Sequence, residues 1–195
     1  MATFTINIDK KNVVIFDADF LVLTYDFTDG RDLDTRTRVV TPEIGQNAVT
    51  DMVGWNVSQQ FPSVDPIIQF GGDNTGVGLE SILININTFK TSYPTDNELV
   101  IDLRSFWYNI IGDNNVSLKA VFYKGGDMVV DSPNFTFVNT TFTDKLEFTT
   151  SGKQIPGPIN KLPEFEGYRL STFTYNIINN TGTFDLNDIT TPSIN

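Results

Sequence analysis

The chain has 195 residues, 39% of them hydrophobic and 12% aromatic, a content that suits one packed body and argues against disorder. Its net charge of −11 and pI near 4.2 repel nucleic-acid phosphates and anionic membrane surfaces, and its basic residues form no cluster that would reverse this. With no cysteine, disulfides and thiolate metal sites are excluded; with no histidine, zinc and haem sites and the commonest general base are disfavoured.

In chain order the segments read as β. Val, Ile, Thr, Phe and Tyr alternate with polar residues between Gly, Asn, Asp and Pro punctuation. "TFTINI" (3–8) alternates cleanly, and its surroundings lack the basic start and apolar block of a secretion signal. Next, "VVIFDADFLVL" (13–23) imitates the haloacid-dehalogenase start, where a strand ends in an Asp-x-Asp nucleophile. That chemistry requires βα alternation, yet β continues beyond Asp19, so the expectation is a turn between strands. "FLVLTYDF" (20–27) and "TRTRVV" (35–40) are strands, the second broken by "TPEIG". "PIIQF" (66–70) enters a glycine-rich loop and "ESILININ" (80–87) leaves it. A short helical turn near 86–93 is ended by Pro94. "ELVIDLRSFWYNI" (98–110) is the strongest strand, expected to be central, with "SFWYN" buried on both faces or, alternatively, forming a subunit contact. "VSLKAVFYK" (116–124), a "GGD" turn and "MVV" (128–130) read as a hairpin.

"NFTFVN", "KLEFTT" and "YRLSTFTYNI" (168–177) complete the strands. The expected fold is all-β, a two-sheet antiparallel β-sandwich with at most that one helical turn. The expected organisation is a body over 1–150, a Pro/Gly-rich linker over 151–167, and C-terminal strands and tail over 168–195. That last part either belongs to the same domain or forms an arm to a neighbour. Trp55 and Trp107 are expected to pack in the core or on a sheet. Asn-x-Ser/Thr triplets at Asn56 and Asn134 reflect composition.

Two acidic patches carry the chemistry. In "DFTDGRDLDTRTR" (26–38), Asp32 and Asp34 fall on one face of a strand, roughly 6.5–7 Å apart along the backbone. In "FGGDNTGVGLES" (70–81), Asp73, Asn74 and Glu80 are offered by a loop whose glycines, Gly76 and Gly78 among them, permit turns that aim carbonyls inward. Carboxylates on one face repel unless a cation lies between them, and calcium accepts six to eight oxygens of these kinds. Arg36 and Arg38 share the face of Asp32 and Asp34 and supply the alternative, neutralisation by an Arg–Asp network.

Taken in order, "GRDLDTRT" and "GGDNTGVGLESILININTFKTSYPTDNELVIDL" resemble the TerD family of tellurite-resistance and stress-response proteins over roughly residues 20–124. The family pairs an Asp-rich "DLD" strand with a later glycine loop of "GDN-TG-G" type. The resemblance implies a β-sandwich holding calcium between the two loops, with Asp32, Asp34, Asp73, Asn74 and Glu80 as ligands. The family's acidic run after the last glycine shrinks here to one Glu, which implies one ion at most. Tellurite resistance itself does not follow. The expected function is non-enzymatic: a calcium-stabilised structural module that binds protein partners or copies of itself, most plausibly a phage virion component of the head, neck or tail. A cytoplasmic calcium-binding stress protein is the alternative, and a carbohydrate-binding module the third reading.

Overall fold

The computed structural model describes residues 3–5, 12–15, 17–27, 32–43, 51–55, 57, 66–76, 78–108, 116–149 and 167–185. Residues 151–166 of the linker expected over 151–167, the tail from 186 and Asn56 lie outside them. Two antiparallel sheets and one hairpin are built from fourteen strands among these residues.

A seven-stranded sheet contains β1 (Thr3–Thr5), β2 (Asn12–Ile15), β4 (Leu33–Thr41), β5 (Val53–Gly54), β8 (Glu98–Trp107), β13 (Tyr168–Asn176) and β14 (Thr181–Phe184), in the order β1-β2-β14-β13-β8-β4-β5. A five-stranded sheet contains β3 (Phe20–Phe27), β6 (Ile68–Phe70), β7 (Gly78–Asn85), β9 (Val116–Lys124) and β12 (Phe142–Thr149), in the order β12-β9-β3-β7-β6. The remaining pair, β10 (Asp127–Asp131) and β11 (Asn134–Val138), forms a separate hairpin.

Alternation explains which faces meet. Leu21, Leu23, Tyr25 and Phe27 of β3, Ile82 and Ile84 of β7, and Phe122 of β9 form one inner face. Leu33 and Val39 of β4, Leu99, Ile101 and Leu103 of β8, and Phe173 and Tyr175 of β13 form the other. Each large side chain removed from water in this layer contributes about 1.5–3 kcal/mol before entropy is counted. The chain is thus all-β, with its core between two facing sheets.

Other expectations can be placed directly. β8 lies inside its sheet between β13 and β4. Phe106 and Trp107 project to opposite faces and both are buried. Trp107 meets Phe27 edge-on at 5.9 Å between centroids. Trp55, by contrast, is 38% exposed and carries the Arg36 guanidinium 5.6 Å above its ring, so it is not a core residue. It stands just past the two-residue strand β5, at the edge of the seven-stranded sheet.

The helix α1 (Ile86–Ser92) follows β7 without a gap. The Asn85 side chain accepts from the Thr88 N–H at 2.9 Å and caps the first turn, while Ile86 and Phe89 are buried beneath. The helix stops two residues before Pro94.

One pairing differs from the sequence reading. β9 does not form a hairpin with β10: it lies between β3 and β12. The glycines at 125 and 126, with φ of +62° and +98°, turn the chain off the sheet, and β10 pairs with β11 instead. The alternation of β11 supplies the reason. Phe137 packs on Phe20 and Tyr123 at 4.7 and 4.5 Å, and Phe135 joins Val22 and Leu83 on the outer face of the five-stranded sheet.

Candidate metal centre

The site forms where the two sheets meet at one rim. Asp32 stands just before β4, its carbonyl accepting from the Tyr108 N–H at 2.8 Å, so the β4–β8 ladder anchors it. Asp34 lies opposite Phe106 in that ladder and is 3% exposed. Asp73 comes from the loop between β6 and β7, in the other sheet, and is exposed. One carboxylate oxygen from each of Asp32, Asp34 and Asp73 lies within 4.8 Å of the other two. The residues that the sequence places about forty positions apart therefore converge.

Asn74 and Glu80 lie beside this cluster in a different role. Glu80 is fully buried and continues the inward-facing row of Ile82 and Ile84. One of its oxygens accepts from the Thr35 N–H of β4 at 3.1 Å and the other from the Asn74 N–H at 3.5 Å, so a single carboxylate ties the loop to the opposite sheet. Asn74 folds its own loop: its amide donates to the Leu79 carbonyl and its oxygen accepts from the Gly76 N–H. Gly78 is required because its φ is +156° and a Cβ there would collide with the Asn74 amide nitrogen. Asp32, Asp34 and Asp73 face one another, while Asn74 and Glu80 hold the loop that brings Asp73 to them.

The electrostatics follow from burial. Desolvation, reinforced by the charges of Asp32 and Asp73, pushes the Asp34 carboxyl up to about 7, with Arg36 pulling the other way. Burial likewise raises Glu80 well above the usual carboxylate range, opposed by its hydrogen bond from Thr35. Asp34 Oδ2 is buried and has no hydrogen-bond partner. Such an oxygen is costly to leave unmade. The donor set, three carboxylates and no nitrogen or sulfur, matches a hard cation such as calcium.

The two arginines on this face have other prominent neighbours. Arg36 is fully buried between Trp55 and the Phe106 ring, 5.7 Å from the latter's centroid. Arg38 reaches Asp102 at 3.4 Å. Asp102, 1% exposed, also receives Arg104 and Arg169, each at 2.8 Å. Sequence reasoning missed this network; the single signal for it is the alternation that puts Asp102 and Arg104 on one face of β8.

The Asp-x-Asp stretch at 17–19 crosses between β2 and β3. Lys124 lies 3.0 Å from both Asp17 and Asp19, and Lys90 lies 3.2 Å from Asp17. The hydrogen bond from Lys124 is the main influence lowering the Asp17 carboxyl. These acids fasten α1 and β9 to the crossing.

No protein-family model matches the chain, and no curated protein matches it significantly.

Proposed function

We propose that this protein is a non-catalytic β-sandwich module whose two sheets are clasped at one rim by a calcium ion. Asp32, Asp34 and Asp73 supply the carboxylates, and the module works by assembling with protein partners or copies of itself. The observation that carries the cation is the convergence of three carboxylates from two sheets, one of them buried with an unsatisfied oxygen. Three negative groups in such a space repel strongly, and a divalent cation turns that repulsion into a link between sheets. On this reading the likeness to the TerD family extends to the ligand aspartates, with Asn74 and Glu80 as braces.

Assembly rests on composition. A chain with neither His nor Cys, rich in Asn, Thr, Gly and Phe, suits a structural component of a particle such as a phage head, neck or tail. The test is thermal unfolding in calcium and in chelator, with light scattering on the same samples. Calcium raises the melting temperature of the native protein, because a ligand bound only to the folded state stabilises it, and Asp73→Ala abolishes the difference. Equal melts in calcium and EDTA would refute the clasp. A calcium-responsive monomer that binds no particle component would move the reading to a stress protein.

A further inference from the structure

The β10–β11 hairpin is stitched to the body along one strand only. Phe135 and Phe137 of β11 anchor it, while all five residues of β10, "DMVVD", are exposed. Met128 and Val130 share the face of Phe137 and Phe135, their register partners, yet are 40% and 58% exposed, so they overhang the sheet. On the opposite face Val129 and Val138 are 43% and 49% exposed. Among the described residues β10 pairs with β11 alone. An antiparallel ladder turns every second residue's N–H and C=O outward, so β10 presents an open pairing edge with apolar side chains above and below.

Charge decides what fits. Asp127 and Asp131 bracket the three apolar residues. Two copies of β10 aligned antiparallel about Val129 would set Asp127 against Asp131 at both ends, and an in-register parallel pair would set each aspartate against itself. Like charges directly opposite are destabilising, so the edge rejects its own copy. A strand with a basic residue at each end of an apolar triplet satisfies the same positions.

We propose that β10 is a docking strand for an extended segment of another protein, with three consecutive apolar residues between two lysines or arginines, added to the hairpin by β-pairing. This docking strand is independent of the cation clasp, and its test reads residues of the hairpin rather than of the rim.

The experiment follows backbone amide NMR shifts of the full chain during titration with acetyl-Ser-Lys-Val-Ile-Val-Lys-Ser-amide. A second titration uses the same peptide with Glu in place of Lys. Expected are saturable shifts centred on Met128–Val130 with the basic peptide and none there with the acidic one. The double variant D127K/D131K, altered only at exposed positions, reverses the preference, each affinity changing by at least about tenfold. Absence of shifts at β10, shifts centred instead on the carboxylates near Asp73, or an unchanged preference in the double variant would each overturn the proposal. So would self-association abolished by Val130→Lys, which would assign the edge to a second copy.

Discussion

Asp34 and Asp102 occupy the same outward face of adjacent strands in one sheet, are almost equally buried at 3% and 1% exposed, and live in opposite environments. Asp102 is surrounded by the guanidiniums of Arg38, Arg104 and Arg169. Asp34 faces two more carboxylates and leaves one oxygen unsatisfied. Burial alone thus separates nothing: the difference lies in the sign of the neighbours. Where the chain supplies its own cations the acid is a structural pin. At Asp34 the two neighbouring carboxylates and burial outweigh the single opposing charge of Arg36, and the proposed cation would supply what is missing.

This contrast is sharpest if each aspartate is neutralised in turn. Asp102→Asn strands three guanidiniums around a neutral amide and is expected to cost about 3–5 kcal/mol, measurable by denaturant unfolding. The corresponding change at the rim, Asp34→Asn, is expected to have the opposite sign in chelator. It stabilises the metal-free protein by on the order of 1–3 kcal/mol at pH 8 by removing a buried charge, and it abolishes the gain from calcium.

The pH dependence follows from the same asymmetry. Asp34 titrates near 7 when folded and near 4 when unfolded, so between those values the native state holds the extra proton. Stability of the metal-free protein therefore falls as pH rises from about 4 to about 7, by on the order of 2–4 kcal/mol from this group. Asp34→Asn flattens that slope, and saturating calcium, which binds the ionised form, opposes it. A metal-free protein equally stable at pH 5 and 7.5 would remove Asp34 from the account. Smallest of all, Lys119→Ala breaks the half-exposed pair with Asp26 and is expected to change stability by less than about 1 kcal/mol.

Much of the fold is legible in the sequence because alternation is a local property. "FLVLTYDF" and "ELVIDLRSFW" state which residues turn inward, and the structure buries those. The helix after Asn85 is equally local, a cap followed by buried Ile86 and Phe89 and stopped near Pro94. Pairing is not local. Nothing near Gly125–Gly126 reveals that β9 finds its second neighbour at 142–149, beyond the interposed hairpin, and this is where the expected β9–β10 pairing fails. The convergence of Asp32, Asp34 and Asp73 was suggested by residue type and glycine spacing. The bracing roles of Asn74 and Glu80 depend on hydrogen bonds to Thr35, Gly76 and Leu79 that spacing does not encode. Arg38 meets Asp102 across 64 positions, a register no motif announces.

The clasp is tested most directly by isothermal titration of the chelator-treated protein with calcium near pH 6.5, in two buffers of different ionisation enthalpy. One ion should bind, releasing a substantial fraction of a proton as Asp34 ionises, and both signals should vanish in Asp34→Asn. No heat of binding, or binding with the same proton release in that variant, would contradict a cation held at the rim by Asp32, Asp34 and Asp73.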